Sequence, residues 1–153
     1  MRISPGTILW MLRLTSNELL HRQPSQASRD AIGRYGERAA ARYLKRHGFR
    51  IVYRNFRVPA GELDLVAREG EELVFVEVKT RRRGHLRGRP MDAVDQAKQR
   101  KIVRAALAYL RLLGHPEIRF RFDVVEVWMS EEGRYPKCHL IREAFTMPAD
   151  WRY

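Results

Sequence analysis

Cysteine is almost missing from this chain: Cys138 stands alone among 153 residues. One thiol can neither close a disulfide within the chain nor build a cysteine-based metal site. A reducing, cytoplasmic setting fits this, with Cys138 expected as a half-buried strand residue. Long apolar runs are missing too. TILWMLRL, Thr7 to Leu14, is broken by Arg13 and is far shorter than the roughly 20 apolar residues of a membrane-spanning helix. No small-residue cleavage site follows it, which argues against a secretory signal. It reads as a short amphipathic helix, with an upstream start codon or a membrane-surface anchor as the alternatives, and the polar HRQPSQASRD after it as a linker. Residues 1–29 are thus expected to be an extension and residues 30–153 the domain. The sequence has no internal repeat, no glycine-rich phosphate loop and no nucleophile triad, so solenoids, P-loop enzymes and triad hydrolases drop out. Acidic residues are scarce: 18 Asp and Glu face 30 Lys and Arg, a formal net charge of +12. An excess of that size calls for a polyanionic partner, nucleic acid first and an anionic membrane surface second.

The stretch Gly61 to Arg83, GELDLVAREGEELVFVEVKTRRR, carries the most information. Apolar alternation through Leu63 and Leu65, a turn at Glu69–Gly70–Glu71, and then LVFVEVK read as a β-hairpin. Val74, Phe75, Val76 and Val78 place apolar side chains on both faces of the second strand, the pattern of a strand covered on both sides. Glu77 and Lys79 nevertheless sit inside this run, two residues apart and so on one face. Taking either charge out of water costs several kcal/mol unless partners compensate.

Metal-dependent cleavage of a phosphodiester would explain them. Asp64, on the preceding strand of the hairpin, can be brought beside Glu77. Two carboxylates and the backbone carbonyl of Val78 form an all-oxygen set suited to Mg²⁺ or Mn²⁺. Lys79 points to the same space, where it could orient a water and offset charge building on the phosphate. The plain alternative is a half-exposed strand that happens to alternate Glu and Lys. Apolar residues on both faces argue against it.

Asp64 followed by Glu77–Val78–Lys79 resembles the D…E-x-K motif of the PD-(D/E)XK nuclease superfamily, the restriction-endonuclease-like fold. The longer string GELDLV…LVFVEVKTR, with RFDVV beyond it, resembles the YraN-like bacterial family, which is similar to archaeal Holliday-junction resolvases. The likeness spans about residues 30 to 145. Leu63 stands where many members of the superfamily have Pro. The resemblance implies a magnesium-dependent endonuclease acting on DNA, branched DNA included, and a two-fold homodimer, because two matched cuts need two sites.

The first helix should begin near an Asp30 N-cap and end at Gly48, with Ile32, Tyr35, Ala39, Ala40, Tyr43 and Leu44 at helical spacing. Glu37 lies at the margin of that apolar face. It is either a solvated partner of nearby arginines or, as the superfamily resemblance implies, an acidic contributor to the metal site. FRIVYRNF, Phe49 to Phe56, is the first strand. Glu62 shares a face with Asp64 and is a reserve ligand at the rim. TRRRGHLRGRP, residues 80 to 90, has five arginines, Arg81, Arg82, Arg83, Arg87 and Arg89. It should be a loop that meets nucleic-acid phosphates, since Arg pairs with them by charge and by forked hydrogen bonds; His85 has no clear catalytic part.

Met91 to Leu113 is the second long helix, capped by Asp92, with Val94, Ala97, the Lys101 stem, Ile102, Ala105, Leu110 and Leu112–Leu113 on its buried face. Arg100 and Lys101 add to the basic surface. The resemblance assigns Lys98 a place near the scissile phosphate, with Gln96 as the alternative. IRFRFDVVEVW is then a strand in which Asp123 holds the sheet or the site, the structural role being preferred, and Lys137 to Arg142 a last strand. Together these elements give an α/β fold with a mixed sheet in the order αβββαβ. A non-catalytic nucleic-acid-binding protein on the same fold is the competing expectation.

The charge reading has a direct test in the salt dependence of DNA binding. Affinity for a DNA duplex should fall steeply with salt, by a log–log slope of about 0.9 per phosphate neutralised. Replacing Arg81, Arg82 and Arg83 together by Ala should lower both affinity and slope. A slope unchanged in that variant would place the binding surface elsewhere.

Overall fold

The computed structural model describes residues 24–82, 94–129, 136–149 and 151. The chain divides into two units, Met1–Ile32 and Gly33–Tyr153; the sheet and its packing described below belong to the second. The elements in chain order are α1 (Pro24–Arg46), β1 (Arg50–Val58), β2 (Gly61–Glu69), β3 (Glu72–Arg82), α2 (Gln96–Leu112), β4 (Phe120–Met129) and β5 (Lys137–Phe145). The strands form one sheet in the order β1-β2-β3-β4-β5. Neighbours are antiparallel except β3 and β4, which run parallel. A parallel pair needs a crossover, and α2 lies within it. This is the mixed-sheet α/β fold expected from the sequence.

Each face of the sheet has its own helix. On α1 a strip of small residues, Ala39, Ala40 and Ala41 with Leu44, packs against Leu65, Ala67, Val74, Val76, Val125 and Val127. Small side chains let the helix approach closely. At Gly36 a Cβ would fall 1.8 Å from Thr80 Oγ1. Gly48, at φ 88°, ends the helical turn, and the Phe49 N–H returns to the Leu44 carbonyl at 3.0 Å. On the other face, the Tyr109 ring of α2 meets Phe56 at 5.2 Å and Phe75 at 6.0 Å between centroids.

Several boundaries differ from expectation. The helix α1 starts at Pro24, so Asp30 lies inside it and part of the supposed linker is helical. Proline is tolerated in a first turn, and Ser, Gln, Ala and Arg accept helix as readily as coil. The helix α2 starts at Gln96, where the Asp95 side chain accepts the Lys98 N–H at 2.8 Å; Asp92 lies outside the described residues. Of its expected buried face, Ala97, Lys101, Leu112 and Leu113 are exposed, while Val103, Ala106 and Tyr109 are buried instead. Thr80, Arg81 and Arg82 belong to β3 and not to a loop. The last strand runs on to Phe145.

Two features fix the strands to one another and the sheet to α2. At the β2–β3 turn, Arg121 bonds Glu69 at 2.7 Å, Glu72, and the fully buried Asp123 at 3.0 Å. Arg142 of β5 also bonds Glu69, at 2.6 Å, and Asp123 accepts the Glu143 N–H at 2.9 Å. This cluster ties β2, β3, β4 and β5 together, and Asp123 is structural, as its sequence context suggests. The second feature is at the start of β2, where a Cβ on Gly61 would sit 2.2 Å from the Lys101 carbonyl oxygen. Only glycine lets the α2 backbone lie this close.

Gly61→Ala should therefore cost about 1–3 kcal/mol, since a backbone carbonyl cannot step aside. Gly33→Ala, in α1 with nothing within 4 Å of the added Cβ, should instead gain up to about 1 kcal/mol of helix propensity. Thermal melts of the two variants beside the native chain check both signs.

Candidate functional site

The site begins where the β2–β3 ladder stops. Paired residues run from Glu69↔Glu72 to Leu65↔Val76, one step short of Asp64 and Glu77. In place of the next ladder bond, Asp64 Oδ2 accepts the Val78 N–H at 2.7 Å. A side chain thus does the work of a backbone carbonyl. The strands part at the two carboxylates that the sequence singles out.

Glu77 is 3% exposed. One of its oxygens, Oε1, meets Lys79 Nζ at 3.0 Å and Lys98 Nζ at 3.5 Å. The other, Oε2, is buried with no hydrogen-bond partner among the described residues. A buried carboxylate oxygen left unpaired costs about 1–3 kcal/mol or more, so it calls for a ligand. Lys79 stands beside Glu77 on one face, as the two-residue spacing requires.

Lys98 is held twice. Its N–H is the donor in the Asp95 cap, and its Nζ also meets Glu62 Oε1 at 3.0 Å. Partial burial works against the ammonium, but the charges of Glu77 and Glu62 outweigh it and raise the Lys98 pKa. For Glu62, burial likewise opposes ionisation, and the Lys98 hydrogen bond with the charges of Lys98, Arg57 and Lys101 prevails, lowering its pKa. Glu62, read from sequence as a reserve ligand at the rim, is thus tied to Lys98. Gln96 lines a separate cavity of about 210 Å³ with Gln99, Arg100, Val103, Thr146 and Pro148.

Asp64 has the most strained charge in this region. Burial and then repulsion from Glu77 push its pKa up to about 7. The Val78 N–H and Lys98 work the other way, and Glu37 on α1 adds to the repulsion. The structure therefore brings Asp64, Glu77, Lys79 and Lys98 together, with Glu37 near enough for its charge to act on Asp64. No three acidic, His or Cys side chains among the described residues close on one point as a metal-binding group. The oxygen donors on offer are Asp64, Glu77 Oε2 and the Val78 carbonyl. Two carboxylates and a carbonyl suit a hard cation that completes its coordination with water.

Among the expected phosphate-binding residues, Arg100 and Lys101 are exposed on α2. Arg83, Arg87 and Arg89 lie outside the described residues. Arg81 has a partner that sequence reasoning missed: its Nε donates to Glu126 Oε1 at 3.1 Å. Glu126 is 4% exposed. The signal was present, because FDVVEVW places a carboxylate inside an apolar run just as LVFVEVK does. No helix among the described residues is long and apolar enough to cross a membrane.

Residues 36–127 match the model of a family described as "Uncharacterised protein family UPF0102". That span holds Glu37, Asp64, Glu77, Lys79, Lys98 and Glu126. The UPF0102 protein of Symbiobacterium thermophilum is 51% identical over 114 residues, which cover 74% of this chain and 95% of that protein. For the UPF0102 protein of Desulfosudis oleivorans the figures are 49% over 117 residues, 76% and 91%. For that of Rhodococcus jostii they are 50% over 115 residues, 75% and 96%.

The repulsion at Asp64 predicts an unusual stability effect. Asparagine keeps an oxygen for the Val78 N–H and removes the charge that Glu77 opposes. A carboxylate whose folded pKa rises from 3.8 to about 7 binds its proton more tightly in the folded state. It therefore costs stability as pH climbs through that interval. Asp64→Asn should raise stability in chelator above pH ~7 by on the order of 1–2 kcal/mol, with no gain below pH ~4. Denaturant titrations at the two pH values decide it, and a destabilised variant at the higher pH would contradict the repulsion.

Proposed function

Because this chain belongs to Uncharacterised protein family UPF0102, a name that carries no activity, we propose a function from geometry: metal-dependent hydrolysis of phosphodiester bonds in DNA, branched DNA included. The observation that carries the reading is Glu77 Oε2, buried and unpaired beside Asp64, at the point where the ladder opens. Asp64, Glu77 and the Val78 carbonyl would hold the ion, with Glu37 behind them. A bound Mg²⁺ or Mn²⁺ supplies Lewis acidity toward a phosphoryl oxygen and a more acidic water.

The chain's own groups do the rest. Lys79, about one-third exposed, is open to a substrate, and its ammonium can orient a water and offset charge on the phosphate. Lys98, pinned by Glu62 and the Asp95 cap, brings a second cation to the same carboxylate. Arg100 and Lys101 on α2, together with Arg81, would meet the DNA backbone, with Arg82, Arg83, Arg87 and Arg89 expected from the sequence to share the task. A homodimer would present two such sites for paired cuts, and a protein of this kind would work in the cytoplasm.

One observation favours a second reading. Both lysines already meet Glu77 Oε1, so the site is partly neutralised by the protein itself. A nucleic-acid-binding protein that keeps the fold without catalysis would have this arrangement.

Nicking of flap, junction and plain duplex DNA separates the two. Cleavage should need Mg²⁺ or Mn²⁺ and fail with Ca²⁺, whose coordination is looser. Asp64→Asn and Glu77→Gln should abolish cutting and leave DNA affinity nearly unchanged. Lys79→Ala should cut roughly 10²-fold more slowly. A native protein that binds all three substrates and cuts none would establish the binding role.

A further inference from the structure

Glu126 is a buried carboxylate that the proposed chemistry does not use. It lies in β4 directly across the parallel register from Lys79, while Trp128 lies across from Arg81. Glu77, Lys79 and Arg81 therefore follow one another at two-residue steps along one face of β3. Each step is about 6.7 Å, close to the separation of successive phosphates along a nucleic-acid strand.

Arg81 is held from two directions. Its Nε donates to Glu126 Oε1 at 3.1 Å, and its Cζ lies 5.8 Å from the centroid of the Trp128 ring. The second Glu126 oxygen is 3.9 Å from Nδ1 of the exposed His139. A guanidinium can bond through its Nε side or through its two terminal nitrogens. Here the Nε is taken, and neither terminal nitrogen has a partner among the described residues. The edge that remains is the one that grips a phosphate with two parallel hydrogen bonds.

A buried ion pair is weak evidence for stability, because apolar residues of similar size often serve as well. Val124 and Phe122, on the same face of β4, show that apolar residues suit this strand. What Glu126 adds is a fixed orientation. An Arg free to sample its rotamers loses that side-chain entropy on binding, and one already seated loses less.

We propose that Arg81, seated by Glu126 and Trp128, is a preset binding site for a backbone phosphate of the same strand two such steps along β3 from the one at Asp64 and Glu77, with Glu126 as the positioning residue. The assignment deepens the nuclease reading and rests on it for the place of the reacting phosphate. It also predicts that the DNA strand runs along β3 from the metal-binding carboxylates toward the end of the strand.

The test is affinity for a short labelled DNA duplex, measured by fluorescence anisotropy on the full chain carrying Asp64→Asn, so that nothing is cut. Arg81→Lys keeps the charge and a counter-ion for Glu126, but an ammonium cannot serve Glu126 and present a fork at once; affinity should fall about tenfold. Glu126→Leu makes the protein more positive, which general electrostatics says should tighten binding. The proposal predicts the opposite sign, a loss of similar size. Glu126→Gln keeps an oxygen for Nε and should stay within about twofold of the parent. Arg81→Lys binding as well as the parent, or Glu126→Leu binding more tightly, overturns the assignment. If Glu126→Leu does not fold, Arg81→Lys decides alone. Cleavage is read separately with Asp64 intact. Normal cutting with a neutral Arg81→Lys removes this phosphate site and keeps the nuclease. The predicted binding pattern without any cutting removes the nuclease and keeps the phosphate site. A parent that binds no DNA overturns both.

Discussion

A β-ladder that ends inside a sheet leaves backbone groups to be satisfied, and the side chain that satisfies them decides what the gap can do. Here the gap opens one pair beyond Leu65↔Val76, and the Val78 N–H finds Asp64 in place of a carbonyl. This one hydrogen bond holds a carboxylate against Glu77 at a depth where neither would otherwise sit. Lys98 comes within reach because Gly61 admits the α2 backbone. Lys79 follows from the pleat of β3, and Glu62 from the need to hold Lys98. Without the Asp64 bond, the hairpin could close by another pair and the opening at Asp64 and Glu77 would not exist.

The two ends of the hairpin make an instructive contrast. Near its turn, Arg121 meets three carboxylates and Asp123 gains a backbone N–H as well. The Phe49 ring lies under both Arg121 and Arg142. The charges there are matched, and Glu69 is held ionised with a pKa of about 2 by Arg142. At the open end, similar residue types leave one carboxylate oxygen unpaired and one carboxyl group pushed up to about 7. The first arrangement is what a structural cluster looks like. The second leaves charge that the protein itself does not balance.

Much of this was legible in the sequence because charge inside an apolar run is a local signal. Glu77, Lys79 and Asp64 could be read that way, and so could the hairpin and the alternation of helix and strands. What could not be read depended on distant partners or on equal local options. Asp92 and Asp95 are equally good helix caps by type, and only the packing of α2 on β2 selects Asp95. The segment from Pro24 to Arg29 suits helix or coil by composition. Three basic or hydroxylated residues after Lys79 resemble a loop until Arg81 finds Glu126, 45 residues away in sequence. Leu112 and Leu113 continue an apolar pattern past the point where the sheet can cover them.

The ion cluster at Glu72 and the carboxylate at Glu77 lie on the same strand, about 16 Å apart along it. Because the cluster clamps four strands at one end, the length of β3 between these two residues acts as a ruler with parity. One residue added or lost there would turn Glu77 toward the alanines of α1 and bring a valine to Lys98. Length changes in the turns would do neither. The stretch from Glu72 to Glu77 is thus the part of the chain whose residue count, more than its residue identities, natural variation has least freedom to alter.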